Sequence, residues 1–221
     1  KRDGTKEPYD ANKINLALVE ASEGLPDQVS KVVQVASELQ LTLFDGITTA
    51  QLDEAVIQTT LQNVKDDPDY DKIAARLLLK NIYKDLLGHF SGEDELRKLH
   101  NQKFPGYVRE AVKEGLLDKR MADPKYFDLK KLAAALDPSR DKLSKYLGVV
   151  TNKNRYALRK QDGKPLEVPQ FTIMRIAMGL SFNEENPTEA AIEFYQHMSN
   201  LEYSPGGSTR VAPSPCRRQP P

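Results

Sequence analysis

The chain has 221 residues, enough for one or two domains. Its 32 basic and 32 acidic residues cancel, so no global field draws it to nucleic acid, and a single cysteine excludes both an internal disulfide framework and a Cys-rich zinc ribbon. A hydrophobic content of 39% can build a core, yet no apolar run approaches the ~18 residues needed to span a bilayer, and no signal peptide is expected.

The first fourteen residues combine three features. Asp3-Gly4 is a tight-turn pair, with the cations Lys1, Arg2 and Lys6 around it on an expected β-hairpin. Asp10 precedes a run with helical spacing and can cap it. A cationic hairpin entering a helix N-terminus can seat an anion. The same residues also suit an ordinary solvated surface hairpin. The first helix is predicted from Ala11 to Glu23, with Ile14, Ala17, Leu18 and Ala21 on one face and Gly24 at its stop. Val29, Val32, Val33, Ala36 and Leu39 give a second helix. Leu39, Leu41 and Leu43 then alternate with polar residues, which predicts a short strand.

Thr48-x-x-Gln51 has the form of a capping box, and either Thr48 or Thr49 can cap a third helix carrying Leu52, Ala55, Val56 and Leu61. Pro68 bars continuation of that helix. A fourth helix follows from about Tyr70 to Leu87, stopped by Gly88. On it Arg76, Lys80 and Lys84 recur every four residues and share a face. That stripe can meet phosphates or can be a solvated face.

Residues 1–90 thus read as a four-helix bundle with a β-hairpin lid. Residues 91–203 read as a helical domain with one β-hairpin, and 204–221 as a disordered tail. In the second domain Pro105-Gly106 is expected to break the first helix. Asp123-Pro124 and Asp137-Pro138 punctuate short helices built on Phe127, Leu129, Leu132, Leu136, Leu143 and Leu147. The stretch Arg155–Val168 predicts the hairpin, turning at Asp162-Gly163. Phe171, Ile173, Met174, Ile176, Ala177, Met178 and Leu180 predict a buried helix, in which the methionines serve packing. A last helix opens at Asn186-Pro187 with Ala191, Phe194, Tyr195 and Met198 as its core side. From Ser204 onward, five prolines and two glycines in eighteen residues predict disorder. The class predicted is mainly α. His89, His100 and His197 have no metal-ligand spacing, and no Walker-type glycine loop, HExxH or GxSxG motif occurs. A cytoplasmic location is expected by default. Residues upstream of Lys1 are expected, because the sequence does not open on Met.

Four short motifs, Lys1-Arg-Asp-Gly4, Asp10-x-x-Lys13-Ile14, Phe44-Asp-Gly-Ile-Thr-Thr49 and Ala74-Ala75-Arg76-Leu77, together resemble an ATP-cone domain. That is the regulatory nucleotide-binding module at the front of ribonucleotide reductase large subunits. Tyr156 through Gly179, with Pro169-Gln-Phe171 entering an apolar helix, is similar to the helical N-terminal domain of the same subunit. Ser204-Pro-Gly-Gly-Ser-Thr209 resembles the start of its catalytic barrel. The resemblance implies ATP or dATP as allosteric effector. By position it assigns nucleotide contacts to Lys1, Glu7, Pro8, Tyr9, Asp10, Ala11, Asn12, Lys13, Thr49 and Lys84. Lys1, Lys13 and Lys84 are expected on the phosphates, and Glu7–Asn12 around base and sugar.

The resemblance also implies partners: the remainder of the large subunit, a radical-generating small subunit, or further copies of the chain, with neither membrane nor nucleic acid involved. Reductases of this kind need a redox cysteine pair and a radical-bearing cysteine in an α/β barrel. From Arg210 on the sequence departs from the family, and Cys216 is not assigned as catalytic. A truncated or frameshifted reading frame, or half of a split gene, is therefore expected, without reductase activity of its own. The alternatives are a stand-alone ATP-cone sensor or repressor, against which the single cysteine and neutral charge argue, and a helical interaction domain with a vestigial pocket.

Overall fold

The computed structural model describes Thr5, residues 8–40, Phe44 and residues 46–211. Among them the fold is mainly helical, and the chain divides into two compact units. The first runs to Ile82 and takes in Ser144–Val149. The second comprises Tyr83–Leu143 and the chain from Val150 onward.

In the first unit α1 (Ala11–Ala21) starts at Asp10, whose carboxylate accepts from the Asn12 amide at 3.0 Å. Ile14, Leu18 and Ala21 are its buried side. Helix α2 (Gln28–Gln40) buries Val35 and Leu39, and also Lys31. Helix α3 (Thr49–Gln62) opens on the expected box, with Thr48 as the cap: the Gln51 amide donates to Thr48 Oγ1, and the Thr48 amide donates to Gln51 Oε1. Its buried side is Val56, Ile57, Thr59 and Thr60, rotated from the expected one, in which Leu52, Ala55 and Leu61 are only half-covered. Thr60 tolerates this burial because its hydroxyl donates to the Val56 carbonyl at 2.8 Å. Helix α4 (Asp69–Leu86) carries Ile73, Ala74, Leu77 and Leu78 in the core. Leu39 and Gln40, predicted extended, belong to α2. The rest of that predicted strand, Leu41–Leu43, lies outside the described residues, as does most of the predicted N-terminal hairpin.

The second unit begins at the end of α4. Helix α5 (Gly92–Lys113) runs through Pro105 without a break, contrary to expectation. Proline costs about 3 kcal/mol in a helix interior. The apolar stripe continues across it, however, with Leu96, His100, Phe104, Tyr107, Val108 and Ala111 all buried. Burying Phe104 and Tyr107 on either side of it outweighs the lost hydrogen bond. Acidic Glu93, Asp94 and Glu95 fill its first turn, where the helix dipole favours them. A 3₁₀ turn (Lys119–Ala122), α6 (Leu129–Ala134) and a second 3₁₀ turn (Pro138–Leu143) follow. Three residues per turn put Pro138 and Asp141 on one buried face and turn Leu143 out, so Leu143 is half exposed rather than core.

Helix α7 (Tyr146–Thr151) buries Val149 and leaves Leu147 in solvent, again unlike the expectation. It passes into a π turn (Asn152–Tyr156), closed by the Ala157 amide donating to the Asn152 carbonyl. Arg155 and Tyr156 therefore lie in this turn, not in a strand. The predicted hairpin reduces to one antiparallel bridge, Arg159 with Pro165, around a turn in which Gly163 has φ +81. Helix α8 (Pro169–Leu180) is covered on nearly every side, and α9 (Pro187–Ser199) packs on it through Ala191, Tyr195 and Met198. Ser204–Val211, predicted disordered, includes the short helix α10 (Gly207–Val211). Residues 212–221 lie outside the description.

Candidate functional site

Of the residues assigned to the nucleotide, Lys1 and Glu7 lie outside the described residues. The others sit on three helix ends. Pro8, Tyr9 and Asp10 are exposed and lead into α1, whose first turn holds Ala11, Asn12 and Lys13. Thr49 is half-covered as the first residue of α3, one position after the cap. Lys84 is half-covered in the last turn of α4.

The start of α1 is already neutralised in part. Asp10 holds the Asn12 amide with its side chain and the Lys13 amide with its carbonyl, at 3.0 and 3.2 Å. An incoming anion thus meets a carboxylate at the helix end, so its attraction must come from cationic side chains.

The stripe on α4 is not a uniform phosphate rail. Arg76 donates Nη1 to the Ala21 and Glu23 carbonyls at 3.0 and 2.8 Å, satisfying the open end of α1. Lys80 pairs with Glu20. Both cations fasten α4 to α1, a role that spacing alone does not distinguish from phosphate binding. Lys31, unremarked in the sequence, does similar work. Its ammonium donates to the Pro26 carbonyl and meets Asp67, both at 2.7 Å. The Asp67 hydrogen bond raises its pKa despite the burial. One buried cation thereby ties the loop before α2 to the loop before α4.

Two buried polar clusters in the second unit escaped sequence reading. In the first, Glu167 takes Arg175 Nε at 2.6 Å, the Leu158 amide at 2.9 Å, Thr172 Oγ1 at 3.0 Å and the hydroxyl of Tyr107. Arg175 spends its remaining donors on the Tyr156 and Arg210 carbonyls, at 2.9 and 3.2 Å. In the second, Asp141 accepts from Tyr83 and, at 2.5 Å, from Gln170, which in turn accepts from Tyr195. The signal for the first was an arginine inside an apolar helix, since a charge there demands a partner. Among the described residues no three His, Cys, Asp or Glu side chains group as metal ligands, and no helix is long and apolar enough to cross a membrane.

Residues 1–85 match the ATP cone domain family, and residues 142–211 match the family described as ribonucleotide reductase, all-alpha domain. The ribonucleoside-diphosphate reductase subunit alpha of Helicobacter pylori is 32% identical over 203 residues, covering 91% of this chain and 24% of that protein. That of Chlamydia trachomatis is 36% identical over 167 residues, 75% of this chain and 16% of the relative. The large subunit from Arabidopsis thaliana is 29% identical over 213 residues, 95% and 24% of the two chains. The chain therefore spans about a quarter or less of the length of these relatives. Capped helices in the expected order, two family matches along the chain and relatives of one name across most of it lead to a single conclusion: the chain carries an ATP cone domain and a ribonucleotide reductase all-alpha domain, in the region it shares with ribonucleoside-diphosphate reductase large subunits.

Proposed function

We propose that this chain is the allosteric nucleotide-binding region of a ribonucleotide reductase large subunit. ATP or dATP binds the ATP cone and sets the activity of the parent enzyme, which makes deoxyribonucleotides for DNA synthesis. The observation carrying this reading is the ATP cone match over residues 1–85. The all-alpha match at residues 142–211 favours a reductase over a stand-alone repressor. Lys1, Lys13 and Lys84 neutralise the phosphates. Backbone and side-chain atoms of Glu7–Asn12 frame base and sugar, and Thr49 contributes from the start of α3. Because Asp10 already occupies the end of α1, the three lysines supply the attraction and the affinity falls with salt. Occupancy then shifts association with a small subunit or with further copies, a coupling between distant sites. The expected location is the cytoplasm.

Calorimetric titration of the chain with ATP and with dATP tests the pocket directly. Both are expected to bind. Lys13→Ala and Lys84→Ala are each expected to weaken binding about tenfold, the loss of one charge-assisted phosphate contact. A folded sample that takes up neither nucleotide overturns the reading.

A further inference from the structure

Helix α1 has two ends with different tasks. Its first turn holds Asn12 and Lys13, which are assigned to the nucleotide, and its last turn is gripped from α4. Along its length α1 packs on α2, with Ile14, Leu18 and Ala21 buried. From α4 it is reached by two cationic side chains. Arg76 Nη1 donates to the Ala21 carbonyl at 3.0 Å and to the Glu23 carbonyl at 2.8 Å. Carbonyls at a helix end have no partner in their own helix, so a guanidinium closes them well. Arg76 Nε is buried beside them. One turn later on α4, the Lys80 ammonium meets the Glu20 carboxylate, and the Lys80 side chain is the more covered of the two. All of these residues belong to the first unit.

Spacing along α4 offers Lys80 as one more cation for a phosphate. Its partner gives it another task, because an ammonium already matched by a carboxylate has little attraction left for a second anion. We propose that the Lys80–Glu20 pair is a positioning device: beside the Arg76 clamp it fixes the last turn of α1, and through that helix it aims Asn12 and Lys13 at the nucleotide. This rests on the nucleotide-binding reading above. An eleven-residue helix is stiff over its length of about 15 Å, so freedom gained at its last turn becomes displacement at its first. A charge-assisted phosphate contact depends on placement within a fraction of an ångström to an ångström, so that displacement costs affinity. The fold loses little, since a partly exposed ion pair contributes little to stability. Lys80 and Glu20 thus act on the nucleotide through α1 and touch none of it.

Charge reversal separates positioning from direct contact. The whole chain is titrated with ATP by calorimetry, and urea unfolding checks that each variant is folded. Lys80→Glu sets two carboxylates against each other, and Glu20→Lys sets two cations. Each is expected to weaken ATP binding about fivefold while the urea midpoint barely moves. The double variant restores the pair in reverse and is expected to bind within about twofold of the unsubstituted chain. A direct phosphate contact gives the opposite pattern: Glu20→Lys tightens binding, and the double variant does not recover what Lys80→Glu lost. That pattern overturns the proposal, and so do single variants that bind ATP as the unsubstituted chain does. Should a reversal not fold, Lys80→Ala, Glu20→Ala and the two together replace the set. Positioning then requires the pair of changes to cost no more than either alone, and additive losses overturn it. If the unsubstituted chain takes up no ATP, the nucleotide reading falls and the proposal with it. ATP uptake with the wrong pattern among the variants removes the proposal alone.

Discussion

Burial at His100 and Asp141 sets two protonation equilibria against each other. His100 is fully buried, and its Nδ1 lies 2.8 Å from the Leu96 carbonyl. A carbonyl only accepts, so Nδ1 carries the proton, and Nε2 is left buried without a partner. Burial lowers the imidazole pKa to about 4 against the Leu96 bond that raises it. Between the ordinary histidine value of 6.5 and about 4 the unfolded chain binds the extra proton, so His100 removes stability as pH falls through that window. Asp141 behaves oppositely. Burial raises its carboxyl to about 7, against the bonds from Tyr83 and Gln170, with Asp137 adding a further push upward. Between 3.8 and about 7 the folded chain binds the extra proton, so Asp141 adds stability as pH falls. Each contribution is on the order of 3 kcal/mol at full extent, and the two largely offset. Asp141→Asn is therefore expected to lose stability on going from pH 7 to pH 4 much more steeply than the unsubstituted chain, and His100→Leu to gain it. Urea unfolding across that range measures the slopes, and parallel curves for all three would refute the assignment.

At the scale of elements, the Glu167–Arg175 pair explains why a stretch with loop composition is ordered. Both side chains are essentially removed from solvent. Their satisfied donors and acceptors draw together α5 through Tyr107, the segment before α8 through Leu158, and α10 through the Arg210 carbonyl. Arg210 repeats the connection by lying over the Tyr156 ring, 4.9 Å from its centroid. Breaking one half of a buried pair strands the other charge at about 3–5 kcal/mol. Glu167→Gln is expected to lose that much in urea unfolding and to increase amide exchange in α10. A loss below about 1 kcal/mol would mean that water reaches Arg175 after all. The element scale also shows where reading the sequence falters. Caps act within one turn, so Asp10, Thr48 and Pro169 announce their helices correctly. Pro105 announces a break that does not occur, because the stripe it interrupts is stabilised by rings it meets only in the folded unit.

For the whole molecule, the two compact units need not unfold together, and a bound nucleotide stabilises whatever unfolds with its site. ATP at about a hundredfold its dissociation constant adds about 2.7 kcal/mol to whatever unfolds with the site. Scanning calorimetry is expected to show a transition that moves up with ATP. A scan unchanged by saturating ATP would contradict the nucleotide reading.

The sequence by itself determined the helical class, most helix starts, the order of ATP cone and all-alpha domain, and the likeness to reductase large subunits. These follow from patterns a few residues long, namely caps, glycine and proline punctuation and apolar spacing, which local physics enforces whatever lies around them. Only the tertiary structure decided what the polar side chains do. Arg76 finds the Ala21 carbonyl 55 positions away, and Tyr83 finds Asp141 across 58. A cation four residues from another reads the same in sequence whether it meets a phosphate, a carboxylate or an orphaned carbonyl. The choice belongs to the partner that folding buries beside it, since a desolvated charge accepts no other arrangement.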